Sequence, residues 1–178
     1  MNAAGKLEYL LVDGYNIIFS WKELASDAES SLDCARVRLM DILSDFQGFT
    51  GYEIILAFDA HRVEKNVERS YQYGNITVVY TREAETADSY IERSAKKLAG
   101  RYGVTVATDD KLEQIIIISG GARRISAAAL SRLVKDARKT IEIDYIKKRP
   151  AKNNMLVDNI DADTVKQLER MRRNGEKG

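Results

Sequence analysis

Leu7-Glu8-Tyr9-Leu10-Leu11-Val12-Asp13-Gly14 is the stretch on which the fold turns. A short apolar run that ends in Asp-Gly reads as a buried strand stopped by a turn. The pattern returns at Tyr52 to Phe58, followed by Asp59, and at Val104 to Ala107, followed by Thr108-Asp109-Asp110. Ile76 to Tyr80 is β-branched and reads as a further strand. Between these runs the apolar spacing changes. Residues 31–47 carry Ala35, Leu39, Ile42, Leu43 and Phe46 on one helical stripe, closed near Gly48. Thr86 to Tyr102 carries Ala87, Tyr90, Ile91, Ala95 and Leu98, ended by Gly103. Residues 60–74, with Tyr71 and Tyr73, read as an exposed polar loop, and 111–119 as a short, mostly buried helix broken by Gly120-Gly121.

A long helix starts near Ser126, a good N-cap, although Ile141-Glu142-Ile143-Asp144-Tyr145 also fits an extended segment. Strands alternating with helices imply βαβ units: an α/β fold with a central, mostly parallel sheet and helices on both faces. Pro150 to Asn159 breaks the pattern. Asp161 to Arg173 then reads as a small helix with Val165, Leu168 and Met171 on one side, too short to persist without tertiary contacts. The expected organisation is one domain over 1–150 and an appendage with a basic tail over 151–178.

A length of 178 residues suits one domain, and 44% hydrophobic residues supply a core rather than a disordered chain. The net charge of +1 hides a division. Residues 1–119 hold 13 Lys/Arg and 19 Asp/Glu, a balance of −6, whereas 120–178 hold 15 and 8, a balance of +7. One part attracts cations and the other phosphates. No apolar run approaches the ~18 residues of a membrane helix. Met1 to Tyr9 has no basic start followed by an apolar block, so a soluble cytoplasmic protein without a membrane partner is expected. Cys34 is the only cysteine, which excludes an internal disulfide and a cysteine zinc cage; beside apolar helical positions it is expected to be a buried small hydrophobe.

Ligands of open parallel sheets bind at the carboxyl ends of the strands. Asp13, Asp59, Asp109 and Asp110 stand there, and the helix after the Ile76 strand adds Glu85, Asp88 and Glu92. One such acid is ordinarily a turn former or a cap. Gathered at one sheet edge, carboxylates repel and raise one another's pKa, and hard divalent cations prefer oxygen ligands. One or two Mg²⁺ or Mn²⁺ ions are therefore expected. Tyr15 stands where a haloacid-dehalogenase-type phosphatase has its second Asp. No P-loop and no Gly-x-Gly-x-x-Gly follows the first strand, so ATPase and dinucleotide sites are unsupported. His61 is the only histidine and reads as a polar loop residue.

Val12-Asp13-Gly14-Tyr15-Asn16-Ile17-Ile18, Ala57-Phe58-Asp59-Ala60-His61, Glu85-Thr86-Ala87-Asp88, Ala107-Thr108-Asp109-Asp110 and Gly120-Gly121-Ala122-Arg123-Arg124-Ile125-Ser126-Ala127 occur in that order. Together they resemble the YacP-like branch of the NYN nucleases, relatives of the PIN domain, over about residues 8 to 173. The resemblance implies a PIN-like fold and a metal-dependent RNA endonuclease that cuts translated mRNA on the ribosome. By motif position Asp13, Asp88 and Asp110 match the acidic core, Asn16 matches the Asn after the first acid, and Asp59 and Glu85 match accompanying acids. Ser89 stands where related sequences often carry a second acid. Asp109 stands where the family often has Ser, which leaves Asp109 and Asp110 as alternative metal ligands, with Asp110 favoured.

With no Ser/His/Asp set and no paired histidines, the expected reaction is metal-assisted hydrolysis leaving 5′-phosphate and 3′-OH ends. The basic part supplies candidate RNA contacts. Arg123 and Arg124 follow the two glycines; Arg132, Lys135 and Lys139 are spaced to share a helix face; Lys147-Lys148-Arg149 and Arg170, Arg172 and Arg173 extend the positive surface. Tyr71 and Tyr73 could stack on bases or pack, whereas Phe19 and Trp21 read as core residues. The loop 60–74 and the basic part are candidate ribosome contacts. Two other readings stand beside the leading one: a nuclease of free structured RNA, and an RNA- or ribosome-binding module without catalysis.

Overall fold

The structure is a computed structural model that describes residues 7–59, 69–82, 85–109 and 121–148, with side chains to residue 143. The elements run β1 (Glu8–Asp13), α1 (Gly14–Ser20), α2 (Lys22–Ser30), α3 (Leu32–Thr50), β2 (Glu53–Phe58), β3 (Arg69–Tyr73), β4 (Ile76–Tyr80), α4 (Ala87–Ala99), β5 (Gly103–Ala107), β6 (Arg123–Ile125) and α5 (Ala127–Lys148). The strands form one sheet in the order β3-β4-β2-β1-β5-β6. Only β3 runs antiparallel to its neighbour. The expected α/β class with a mostly parallel sheet is the one observed. Two compact units are present, Met1–Lys139, which holds the whole sheet, and Thr140–Gly178.

Alternation along the central strands builds two cores. Leu10 and Val12 of β1, with Ile54, Leu56 and Phe58 of β2, face a cluster completed by α1, α2, α3 and α5. Leu11, Ala57, Val104 and Val106 face the other way, onto Ala87, Ile91 and Ala95 of α4. Helices therefore cover both faces, and strands buried on both sides read as continuous apolar runs.

Three local expectations change, and two segments without one gain an assignment. Asp13-Gly14 is not a turn: Asp13 ends β1 and caps α1, its carboxylate accepting from the Asn16 N–H, so strand passes straight into helix. Glycine is required at 14 because a Cβ there would lie 2.2 Å from the Phe58 ring. Residues 14–30 form α1 and α2, for which the sequence carries no clear period. The polar stretch 69–73 is an edge strand, turned back by Gly74 at φ +53° into β4. Arg123–Ile125 is a second short edge strand. Cys34 is exposed. The buried stripe of α3 runs through Ala35, Leu39, Met40, Leu43 and Phe46; residue 34 sits about 100° round from Ala35, at 3.6 residues per turn, and points away.

The long helix starts at Ser126, whose Oγ accepts from the Ala129 N–H (3.1 Å). It stays helical through Ile141 and Ile143 to Lys148 rather than becoming extended. The predicted helices at 111–119 and 161–173, the break at 150–159 and the loop residues 60–68 lie outside the described residues. Among the described residues no helix is long and apolar enough to cross a membrane.

Candidate active site

The strand order reverses at β1, with β2 and β4 on one side and β5 and β6 on the other. The crevice at the carboxyl ends beside β1 is the switch point at which such sheets bind ligands. Asp13 ends the central strand and is only 9% exposed. Burial pushes its carboxyl up to about 7; the Asn16 N–H opposes the rise, and Asp88 and then Asp59 add to it. Three acids expected from the sequence are thus brought into one electrostatic neighbourhood: Asp13 from β1, Asp59 beyond β2, and Asp88 from the first turn of α4.

Each acid is placed by a local device. Thr86 caps α4, its Oγ1 accepting from the Ser89 N–H (3.2 Å). Asp59 Oδ1 accepts from the Ala87 N–H (3.0 Å), which ties the end of β2 to the start of α4 and brings Asp88 round with it. Ser89 exchanges hydrogen bonds with Thr86 and so serves the cap. Glu85 is held by Arg93, whose Nη2 and Nε lie 2.6 and 3.2 Å from its Oε1. Glu92 pairs with Lys96 on the outside of the same helix.

On the other side of β1, Asp109 is a latch. Its Oδ1 accepts from the Ala127 N–H (3.0 Å) at the start of α5, and its Oδ2 accepts from Ser20 Oγ (3.4 Å) at the end of α1. Its own N–H donates to Asn16 Oδ1 (3.0 Å). Asn16 thereby braces two strand ends, its main chain bonded to Asp13 and its side chain to the main chain of Asp109. Asp110, the favoured ligand, lies outside the described residues, as does His61. Among the described residues no three His, Cys, Asp or Glu side chains stand close enough to enclose a metal ion.

The expected RNA contacts scatter. Arg124 Nε donates to Thr108 O (3.0 Å), and its Nη2 lies 3.8 Å from Asp109, so it braces the end of β5. Arg123 reaches Glu8 (2.9 Å) at the opposite, amino end of β1. Arg132, Lys135 and Lys139 are exposed on α5. Tyr73 donates to Asp41 (2.7 Å) and pairs with Ile76 at the amino end of β4, far from the acids. Tyr71 stacks on Tyr80. Trp21 packs against the core as expected, its indole N–H bonded to Ala127 O (2.9 Å), but Phe19 is 52% exposed, stacked on Tyr15. The latch formed by Asp109 was missed; only its position at a strand end hinted at it.

Comparison with known proteins identifies the family and the fold. The model of the YacP-like NYN domain matches residues 10–173. The uncharacterized protein YacP of Bacillus subtilis (strain 168) is 39% identical over 137 residues, which are 76% of this chain and 80% of that protein. Two crystal structures of YacP from Bacillus subtilis superpose with TM-scores of 0.69 and 0.68, at 32% and 36% identity. Each covers 93% of this chain, and 99% and 94% of their own. The fold is PIN-like and the family nuclease-like. The chain belongs to the YacP-like NYN domain family.

Proposed function

We propose that this protein is a metal-dependent endoribonuclease that cuts mRNA in association with the cytoplasmic ribosome. The observation that carries the reading is the convergence of Asp13, Asp59 and Asp88 at the switch point, where burial and the two neighbouring carboxylates raise the Asp13 carboxyl to about 7. An all-carboxylate neighbourhood whose members repel one another has the chemistry of a hard-cation site. Asp13 and Asp88 would hold Mg²⁺ or Mn²⁺ there, and Asp110 would supply the third carboxylate that the described residues alone do not provide. Asp59 is an accompanying acid. Asp109 is already committed to Ala127 and Ser20, which favours Asp110 over it.

When bound, such an ion lowers the pKa of water and offsets charge on the reacting phosphate. The chain does the rest. Asn16 ties the end of β1 to the residues just after β5, so the acids at those two strand ends stay in register. Asp13 presents an oxygen from a rigid central strand. The exposed cations of α5 hold the RNA backbone so that water adds across the bond between phosphorus and the 3′ oxygen, leaving 5′-phosphate and 3′-OH ends. Ribosome association and mRNA as substrate follow from the family resemblance.

The test is one assay. End-labelled mRNA is incubated with the protein and Mn²⁺, with and without translating ribosomes, beside the Asp110→Asn and Asp88→Asn proteins. Cleavage during translation only, abolished in both variants, is expected. Equal cutting of bare RNA would replace the ribosome reading with a free-RNA nuclease, and no cutting under any condition would leave a binding module.

A further inference from the structure

A groove of about 390 Å³ lies between the start of α2 and the first half of α5. Its apolar lining includes Trp21, Leu24, Ile42 and Val134. Four cations ring it: Lys22 from α2, and Arg132, Lys135 and Arg138 from α5. All four are exposed, and among the described residues none has an acidic partner. The one acid in the lining, Glu23, has Arg38 3.5 Å away to offset it. Elsewhere on the surface Arg38, Arg93, Lys96 and Arg123 are paired, while Lys97 and Arg101 also lack an acidic partner among the described residues; what sets the groove apart is four such cations round one apolar cleft. Unpaired cations crowded round one apolar cleft repel one another, and an anion relieves that repulsion.

The groove also connects to the acidic crevice. Ser20 lines it and donates to Asp109; the Trp21 indole N–H is fixed on Ala127 O, and the Ala127 N–H is fixed on Asp109. Three hydrogen bonds within the protein thus tie the wall of the groove to Asp109 at the end of β5. The geometry points to a nucleotide subsite: the groove holds a base of single-stranded RNA against Trp21 while Lys22, Arg132, Lys135 and Arg138 hold its flanking phosphates, outside the scissile bond. Its size is that of small-ligand pockets, ~300–1,000 Å³. Aromatic stacking beside a cationic track is the common solution for single-stranded nucleic acid. This assignment rests on the proposed RNA activity and names the part of the surface that positions the substrate.

Trp21 is the only tryptophan in the chain, so its fluorescence reports on this groove alone. The experiment titrates the full chain, in EDTA to prevent cutting, with a single-stranded RNA hexamer, following Trp21 emission and, in parallel, anisotropy of a labelled hexamer. Saturable quenching is expected. The Arg132→Gln/Lys135→Gln protein should bind at least tenfold more weakly. The slope of log affinity against log salt should become shallower by about 1.4, at ~0.7 per lost phosphate contact on a single strand. Lys97→Gln on α4 should bind as the parent does. Lys22→Gln, on the opposite wall, is the second variant should the double variant lose its far-UV dichroism. Anisotropy showing unchanged affinity in the variants, with Trp21 emission unmoved, would overturn the subsite and leave the nuclease reading intact. An oligo-glutamate that quenches as strongly as RNA would overturn the nucleotide assignment. Absence of both binding and cutting of RNA would remove the subsite together with the reading it rests on.

Discussion

At the residue scale the most consequential group is Asp13. Its folded-state carboxyl lies near 7 against an ordinary 3.8, raised first by burial and then by Asp88 and Asp59. A raised acid means the folded protein holds a proton that the unfolded chain has released. Metal-free stability therefore falls as pH rises from about 4 to about 7 and is flat above, by an amount on the order of a few kcal/mol. Asp13→Asn should flatten that slope and melt higher than the parent at pH 8 in EDTA, while losing all cleavage. Mn²⁺ should raise the melting temperature of the parent at pH 8 and leave the variant unmoved; equal stabilisation of both would place the ion elsewhere. Gly14 yields a second prediction. An added methyl would lie 2.2 Å from the buried Phe58 ring, so Gly14→Ala should cost about 1–3 kcal/mol by overpacking. That lowers the melting temperature by about 2–12 °C, at ~2–4 °C per kcal/mol for this size, and Phe58→Leu in the same chain should recover part of it. Asp13, Asp59 and Asp88 were legible in the sequence because strand ends and helix starts are marked by short patterns. The Asp109 bonds to residues 18 positions ahead and 89 behind leave no local trace.

At the scale of elements, what could be read and what could not divides by burial. The strands β1, β2, β4 and β5 are apolar on both faces and announce themselves. The edge strands β3 and β6 are polar because one side meets water, so Arg-Ser-Tyr-Gln-Tyr and Arg-Arg-Ile carry no hydrophobic signal. The Gly74-Asn75 pair that closes the β3–β4 hairpin was the available cue, since that turn needs positive φ. Helices α1 and α2 are 7 and 9 residues long, too short for a clear period, and are held by packing rather than propensity. The joint at Asp109 gathers the ends of α1 and β5 and the start of α5, and its chemistry separates latch from ligand. Asp109→Asn keeps an oxygen acceptor for the Ala127 N–H, whereas Asp109→Ala leaves that N–H without one. Asp109→Ala should therefore lose about 1–3 kcal/mol by chemical denaturation and Asp109→Asn markedly less, with cleavage retained in the Asn protein. Loss of cleavage in a fully folded Asp109→Asn protein would make Asp109 a metal ligand.

At the scale of the molecule the charge division acquires positions. The −6 part contributes Asp13, Asp59 and Asp109 at strand ends and Asp88 at the start of α4, and the +7 part begins just before β6 and supplies the exposed cations of α5. A near-neutral total is therefore the sum of an acidic crevice and a basic helix joined through Asp109 and Ala127. RNA that touches the helix must approach the crevice, where unneutralised carboxylates repel it. A unit charge ~10 Å from a phosphate in water costs about 0.4 kcal/mol, so two cost about 0.8 kcal/mol, close to fourfold in affinity at low salt. In EDTA at pH 8 the Asp13→Asn/Asp88→Asn protein should bind a single-stranded oligonucleotide about fourfold more tightly than the parent. In Mg²⁺, with a phosphorothioate oligonucleotide that resists cutting, the advantage should vanish or reverse, because the parent gains a cation that the variant cannot hold. Anisotropy titrations at two ionic strengths measure both arms. An advantage that persists unchanged in Mg²⁺ would mean that the acids act on RNA by charge alone, without a metal between them.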